Sequence, residues 1–317
     1  MTILEVLSKY ENKYFNCKKS KMVSYLKYNG IQVESLFYYG LESTSNLIKH
    51  MSVEGNKRWY YQSNCLEDED LEVLGVEAIQ SQHSGFMEIF NFLVENLNEM
   101  KEIFITLDVF CLPHKEIEYK KEHEIHWVIL TRYNPEDQTF DLLDDRSNNT
   151  GDFITYRYPR QLVEDGFNQS TKRMMYFNFK EPKDEFNRIF TEKGSRYIQG
   201  MHEDFYYYQH IKELLIDIFD RNQKLDQLDY IIDSLILLSG SRYVFMRYLE
   251  MIRASEAVIA EYQHISYLAD VAKNMLIKSK FSTRFNKASL FDLIDQLANG
   301  DRTAYENLKE DKIIKGC

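Results

Sequence analysis

The sequence predicts an α+β fold followed by an all-helical domain, and two observations support this prediction. Up to residue 182, short strand-like segments follow an N-terminal helix, an order typical of α+β domains. Beyond Pro182 the chain has no proline, the strongest helix breaker, and its apolar residues recur at helical spacing. We therefore predict an α+β domain over residues 1–182 and a helical domain over residues 183–317.

Local patterns define the elements of the first domain. A helix begins near Cys17 and closes at Asn29-Gly30, since glycine commonly ends a helix. A second, amphipathic helix presents an apolar face that runs from Phe86 to Leu97. One strand is an almost continuous apolar run, which predicts a central position in the sheet. The predicted strands outside the hairpin described next are residues 58–62, 71–79, 103–110 and 174–179.

A hairpin is the clearest strand pair in the sequence. Residues 124–131 form a strand-like run that carries His126, residues 134–137 have the composition of a turn, and residues 139–145 form the second run. Because paired strands joined by a short turn are antiparallel, the start of one lies beside the end of the other. We therefore expect His126 and Asp144 to lie side by side.

Glycines divide the predicted helical domain. Helix breaks are expected at Gly240, around residues 279–282 and at Gly300. The step at Gly240-Ser241-Arg242 is typical of one helix ending and another beginning.

Composition and charge exclude several classes of function. The formal net charge of −11 argues against a nucleic-acid binder, which needs a basic face. No apolar run approaches the length of a membrane span, and the N-terminus lacks a signal-peptide pattern, so we expect a cytoplasmic protein that does not bind membranes. The cysteines show no CxxC spacing, which predicts free thiols and no metal site. They are Cys17, Cys65, Cys111 and Cys317.

Cys17 is the candidate nucleophile. The start of a helix presents a partial positive charge, and Lys18, Lys19 and Lys21 add to it, so that the thiolate is favoured. A lone cysteine is also commonly a small buried residue without chemistry.

His126 and Asp144 complete a plausible catalytic set with Cys17. A carboxylate beside an imidazole orients it, while the other ring nitrogen reaches a cysteine on a distant helix. Cysteine on an N-terminal helix, followed by histidine and an acid on successive strands, is the order of papain-like hydrolases and transferases. Taken singly, the histidine is more often a packed strand-end residue and the acid more often a turn residue.

Asp108 and the loop after it are less specific. An acid within an apolar strand must be paired or lie at a strand end near a cleft, so Asp108 either caps the turn at residues 111–114 or lies on the rim of an active site. The charged loop from His114 to His123 is predicted to be a solvated surface excursion, and its two histidines lack the spacing of a metal site.

Several short motifs resemble the butirosin biosynthesis protein H family. Asn16-Cys17 leads into a helix that ends at Asn29-Gly30, and residues 35–41 continue the likeness. The later motifs are the aspartate and Leu-Pro run at 106–114, the histidine strand at 123–130, the acidic strand end at 143–146 and the arginine-containing helix at 240–249.

The resemblance implies a papain-like catalytic domain and an acyltransferase of specialised, antibiotic-type metabolism. Members pass an acyl group from the phosphopantetheine thioester of an acyl or peptidyl carrier protein to an amine. The expected partners are therefore a carrier protein and a small-molecule amine acceptor, with no cofactor held by this chain. Carried over by position, Cys17 is the nucleophile, His126 the base and Asp144 its orienting acid.

Two departures from the family pattern leave alternatives open. Asp144 and Asp145 point to opposite strand faces and either could be the acid; we favour Asp144, which shares a face with Phe140 and Leu142. No glutamine precedes Cys17 as an oxyanion donor, so the backbone N–H of Cys17 with Asn12 or Asn16 would supply that site. Asp108 remains a candidate for substrate binding.

A carrier protein is usually acidic, so this acidic chain needs a local basic patch for docking. The candidates are Lys18, Lys19, Lys21, Arg242 and Arg247. Other functions fit the same residues: a cysteine peptidase, amidase or thioesterase on the same scaffold, or a non-catalytic module that binds a carrier protein.

Overall fold

The chain folds into two compact units that alternate along the sequence. The computed structural model describes residues 11–50, 57–99, 101–145, 153–221, 226–281 and 286–315. Of these, Cys17–Gln32 and Asp68–Lys183 form a sheet unit, and the rest form a helical unit. A change of unit near residue 183 agrees with the sequence prediction. Residues 11–16, 33–50 and 57–67 nevertheless belong to the helical unit, whereas continuous domains 1–182 and 183–317 were expected.

A six-stranded antiparallel sheet forms the centre of the sheet unit, with strand order β1-β6-β2-β3-β4-β5. This confirms the α+β class. Every residue of β2 is buried, as expected of its apolar sequence and its position inside the sheet. The strands are β1 Val76–Gln82, β2 Ile103–Asp108, β3 Ile125–Asn134, β4 Thr139–Asp145, β5 Phe153–Pro159 and β6 Arg173–Phe179.

Two helices cover one face of this sheet. Phe86 and Leu93 of one helix and Phe167 of the other belong to a buried apolar cluster with residues of β2, β3 and β4. Burial of these side chains is the main stabilising contribution, at about 25 cal/mol per Å² of apolar surface. These helices are α5 Phe86–Asn98 and α6 Arg160–Gln169; the unit also contains α2 Cys17–Tyr28 and α4 Asp68–Val73.

Helix α2 begins at Cys17 and ends at Tyr28, as the sequence predicts. Gly30 ends it in the left-handed conformation, with φ +77°. The backbone N–H of Gly30 donates to the carbonyl of Lys27 and that of Ile31 to the carbonyl of Leu26, the hydrogen bonds of a Schellman motif. Tyr25 of α2 packs edge-on against Phe104 of β2, so the helix lies against the sheet.

The strand predicted at 58–62 is wrong, and the strand predicted at 71–79 is confirmed only from Val76 onward. Residues 58–60 form a short 3-10 helix, and helix α4 occupies the first part of the segment predicted as a strand at 71–79. Three acidic residues in the first turn of α4 favour a helix there. Gly75 separates α4 from β1 with φ +72°, and the Cβ of any other residue at this position would lie 2.2 Å from the carbonyl oxygen of Lys180.

Long helices build the helical unit, as predicted. The break expected at Gly240 is wrong, since α9 continues through it, and the break at Gly300 is wrong for the same reason in α11. Gly240 serves close packing: a Cβ there would lie 2.7 Å from the backbone nitrogen of Tyr14. The end of α10 at Ser279 agrees with the prediction. The described α-helices of the helical unit are α1 Glu11–Tyr14, α3 Thr44–Ile48, α7 Phe186–Gly200, α8 Tyr206–Arg221, α9 Asp226–Met251, α10 Glu256–Ser279, α11 Lys287–Glu310 and α12 Lys312–Lys315.

None of the helices in the described ranges is both long enough and apolar enough to cross a lipid bilayer.

Candidate active site

Cys17 is the first residue of α2, and as a whole residue it is partly exposed. The side chain hydrogen-bonds with His126 and with the backbone N–H of Trp127. Burial raises the pKa of the thiol, but those two hydrogen bonds and the positive charges of His126 and Lys21 outweigh burial, so the pKa lies below its usual value. The sequence argument for a favoured thiolate therefore agrees with the surroundings of this cysteine.

His126 lies between Cys17 and Asp144. Its Nε2 atom is 2.8 Å from Oδ1 and 3.0 Å from Oδ2 of Asp144. Because Nε2 faces the carboxylate, Nδ1 is the nitrogen left for the thiol. Burial lowers the pKa of the imidazole, but the charge of Asp144 outweighs burial and the opposing lysines and raises it to about 10. A thiolate and an imidazolium are thus favoured together.

Asp144 is fully buried and contacts four side chains that can carry a positive charge. Besides His126, the carboxylate lies 2.8 Å from Nζ of Lys21, 2.8 Å from Nε2 of His114 and 3.2 Å from Nζ of Lys115. Burial raises the pKa of this carboxyl, but His126, Lys21 and Lys115 hold it well below the usual value. Asp144 is therefore ionised at neutral pH.

The pairing of β3 with β4 explains why Asp144 meets His126. Ile129 is opposite Leu143 and Leu130 is opposite Leu142, so the same register sets Asp144 opposite Val128, two residues from His126 and on its face. Such diagonal neighbours are within reach of long side chains. The prediction that the histidine and the acid lie side by side is borne out in this geometry.

Asp145 is the second acid of the site and is less central. Its Oδ1 atom is 3.6 Å from Nε2 of His126, farther than that of Asp144, and its side chain is 16% exposed. Lys21 and Lys115 both contact it, at 3.0 Å and 3.2 Å. The two lysines therefore bridge the two carboxylates.

Lys21 was expected to contact a carrier protein, and this expectation is wrong. The side chain is only 1% exposed, because its ammonium group points inward to Asp144 and Asp145. Its position four residues after Cys17 puts both on one helix face, which is the sequence signal that could have linked it to the site.

His114 and Lys115 were expected in a solvated loop, but both side chains are buried. Burial lowers the pKa of His114, and its Nδ1 atom is 2.7 Å from the hydroxyl of Tyr158 while Nε2 faces Asp144. A neutral ring that donates from Nε2 and accepts at Nδ1 satisfies both contacts. Its ring also stacks on Tyr156, with centroids 4.0 Å apart. The sequence gives no signal for this burial, because the neighbouring charges resemble a surface loop.

The site also resembles a cation-binding cluster. Ligand atoms of His126, Asp144 and Asp145 lie within 4.8 Å of one another. The ammonium groups of Lys21 and Lys115 already lie against both carboxylates, and a metal ion would have to displace them. The expectation of no metal stays a prediction.

The three residues expected to bind an oxyanion or substrate are placed differently. Asp108 is buried and caps the 3-10 helix Val109–Cys111: its Oδ1 accepts from the N–H of Phe110, and its Oδ2 lies 2.8 Å from His123. The side-chain amide of Asn16 donates to the carbonyl of Tyr61 and to Gln62. The side chain of Asn12 lies outside the described part of the chain.

Arg242 is wrong as a carrier-protein contact, since its side chain is 1% exposed and pairs with Asp301 inside the helical unit. Arg247 is 38% exposed and pairs with Glu250 at 2.7 Å. Lys18 donates to Gln80 at 2.9 Å, and its ammonium lies 5.5 Å from the centre of the Trp127 ring.

Comparison with known proteins adds one relative. No protein family model matches the chain. The chain is 25% identical over 280 residues, 86% of its own length and 89% of the relative's, to a protein of Niallia circulans. That protein is named ribostamycin:4-(gamma-L-glutamylamino)-(S)-2-hydroxybutanoyl-[BtrI acyl-carrier protein] 4-(gamma-L-glutamylamino)-(S)-2-hydroxybutanoate transferase. The likeness covers both units and confirms the family resemblance predicted from the motifs.

Proposed function

We propose that this chain, a member of the butirosin biosynthesis protein H family, is a papain-like acyltransferase of specialised metabolism. It takes an acyl group from the thioester of an acyl or peptidyl carrier protein and passes it to a small-molecule amine through an acyl-Cys17 intermediate. The observation that carries the proposal is the hydrogen-bonded series Cys17, His126 and Asp144. A relative named as a carrier-protein-dependent transferase supports the choice of donor.

The first half-reaction is an exchange of thioesters. The Cys17 thiolate attacks the acyl carbonyl, the bond from that carbonyl to the carrier sulfur breaks, and the leaving thiolate takes the proton of the His126 imidazolium. Thioester exchange is nearly balanced in energy. His126 is left neutral beside a neutral acyl-cysteine.

The second half-reaction forms an amide. The acceptor amine attacks the acyl-Cys17 carbonyl, its N–H proton passes to His126, and the bond to the Cys17 sulfur breaks. The thiolate and the imidazolium are thereby restored. Asp144 holds the imidazole ring and stabilises its charged form, and the backbone N–H of Cys17 at the start of α2 is the proposed oxyanion donor.

Lys21 and Arg242 are buried, so the carrier protein is proposed to dock on the other basic residues that the sequence predicted for this role. Lys18 and Lys19 follow the nucleophile directly and are partly exposed, so they can meet the phosphate of a phosphopantetheine arm. Arg247 stays a candidate in the helical unit.

Intact-mass spectrometry tests the intermediate. The protein is mixed with carrier proteins that bear different acyl groups, without acceptor amine, and we expect a single acyl adduct. Cys17→Ala should abolish the adduct, while Cys111→Ala, at a buried free cysteine of the same unit, should retain it. Absence of any adduct together with cleavage of a peptide at a defined bond would instead identify a peptidase.

A further inference from the structure

Resting on the proposed function, we propose that Lys21 and Lys115 are positioning residues that balance the charges of Asp144 and Asp145, so that His126 can give up a proton and take one back.

The geometry places each lysine against both carboxylates. Nζ of Lys21 is 2.8 Å from Asp144 and 3.0 Å from Asp145, and Nζ of Lys115 is 3.2 Å from each. Lys115 also donates to the backbone carbonyl of Asp145 at 3.3 Å. All four side chains are buried or nearly so, and the interaction between buried charges is far stronger than at the surface. The positive charges of Lys21 and Lys115 therefore oppose the effect of the two carboxylates on the charge of His126.

The charges of this cluster sum to zero in both states of the reacting pair. The two lysines cancel the two aspartates. A Cys17 thiolate and a His126 imidazolium add one charge of each sign, and a neutral acyl-Cys17 with a neutral His126 adds none. Transfer of the proton thus never leaves a buried net charge, which would be costly.

Without the lysines, two uncompensated carboxylates would keep the His126 ring in its protonated, charged form. Asp144 lies 2.8 Å from Nε2 of His126 and Asp145 lies 3.6 Å from it. A histidine held permanently in its charged form cannot accept the proton of the acceptor amine. The lysines oppose this effect, because the charges of both Lys115 and Lys21 lower the pKa of His126.

The other groups that face His126 do not replace this function. They come from three elements: the thiol of Cys17 on α2, the two aspartates on β4 and the neutral ring of His114 in the loop after β2. Among the residues that the structure describes around His126, the side chains that lower its pKa by their positive charge are Lys21 and Lys115. Lys115 is the better test residue, because it lies on a loop and does not share a helix with the nucleophile.

A nuclear magnetic resonance titration of the His126 ring tests the inference without any substrate. Cys17 is first alkylated with iodoacetamide, which gives a neutral thioether that stands for the acyl-cysteine. We expect Lys115→Met to raise the titration midpoint of His126 by about one pH unit or more, since a positive charge that lowers the His126 pKa is lost. Asp145→Asn should lower the midpoint. The double variant, which is neutral again, should return close to the unmodified midpoint.

Matched variants separate charge from folding. Lys121→Met removes an exposed lysine of the same loop and should leave the midpoint unchanged. Lys115→Arg retains the positive charge, so the His126 titration midpoint in this variant should stay within a few tenths of a pH unit of the unmodified value. Single-turnover release of an acyl group to an amine at pH 7 should fall up to about tenfold in Lys115→Met, in proportion to the neutral imidazole that is lost.

An unchanged midpoint in a folded Lys115→Met protein would overturn the inference, as would a double variant that behaves like the lysine single variant. The outcome is independent of the acyl donor. If no adduct forms on Cys17 but the midpoints shift as stated, the charge balance stands and the proposed transfer falls.

Discussion

Each unit contains a buried cluster of charged side chains, and these two clusters are built differently. In the helical unit, Arg242 pairs with Asp301 through two parallel hydrogen bonds of 2.8 Å and 2.7 Å, and its third nitrogen donates to the carbonyl of Glu42. The hydroxyl of Tyr208 donates to the same aspartate. In the sheet unit, Asp144 is instead shared among two lysines and two histidines.

The difference lies in which groups can change their charge. Burial lowers the pKa of Arg242, but Asp301 raises it above the usual value, so this guanidinium stays charged and the pair is fixed. The sheet cluster contains the thiol of Cys17 and the imidazoles of His126 and His114, which titrate closer to neutrality. A one-to-one buried pair is suited to holding structure, and a shared carboxylate is suited to moving a proton.

The largest expected effect separates the two clusters by activity. Asp144→Asn should lower acyl transfer by about 10³-fold or more while the protein stays folded, because the imidazolium loses its orienting charge. Asp145→Asn, the adjacent change, should cost much less, since it is farther from Nε2 of His126. Initial rates and circular dichroism spectra of both variants give the measurement. If Asp144→Asn left the rate unchanged and Asp145→Asn lowered it, the acid that orients His126 would be Asp145 and not Asp144.

The next effect is one of stability. Asp301→Asn should lower the free energy of unfolding by about 3–5 kcal/mol, because it leaves the Arg242 guanidinium buried without its counter-charge. Urea unfolding monitored by fluorescence checks this. The paired change Arg242→Met with Asp301→Leu should cost less than the single change, since a buried ion pair can often be replaced by apolar side chains. A double variant with a lower free energy of unfolding than Asp301→Asn would contradict this prediction and show that apolar side chains cannot replace the ion pair here.

A glycine pair tests how closed the core of the helical unit is. Gly240→Ala should destabilise by about 1–3 kcal/mol, because its methyl group would meet the backbone of Tyr14 at 2.7 Å. Gly300→Ala meets only Ile265, at 3.7 Å, and should stabilise α11 by up to about 1 kcal/mol. Thermal unfolding of the two variants gives the comparison. Equal effects would mean that the contact at Gly240 relaxes freely.

The pH dependence of alkylation sharpens the view of the sheet cluster. The pKa of Cys17 is lowered, so its thiolate persists to lower pH than that of an ordinary cysteine. The rate of reaction with iodoacetamide should therefore fall only at pH values below the range in which an ordinary cysteine thiol titrates. Peptide mapping after limiting label should find Cys17 modified before the buried Cys65 and Cys111. In His126→Ala the rate profile should move to higher pH. Labelling of Cys65 ahead of Cys17 in the folded protein would contradict the nucleophile assignment.

The sequence predicted those features that depend on short segments. The start of α2 at Cys17, its end at Gly30 and the hairpin that joins His126 to Asp144 follow from capping, turn composition and alternation within about 20 residues. The preference for Asp144 over Asp145 came from strand alternation and from a local ion pair expected between Asp145 and Arg146, and the structure puts Asp144 nearer the imidazole.

Features that depend on distant segments were missed. Lys115 is indistinguishable from its charged neighbours in sequence, and only the folded loop brings it to β4. Gly240 carries the signal of a helix end, but its small size is required by the approach of Tyr14, more than 200 residues away. Arg242 looked like a surface cation because its partner Asp301 lies on another helix.

The alternation of the two units along the chain has a consequence for how such a protein can be cut or recombined. Residues 33–50 and 57–67 belong to the helical unit, and Phe37 and Tyr38 are buried there; Tyr38 contacts Phe190 and Tyr248. A gene fragment that stops near residue 183 would therefore carry these aromatic side chains without their partners. Neither unit is inherited as one uninterrupted piece of coding sequence, so shuffling at residue 183 cannot exchange the helical unit alone.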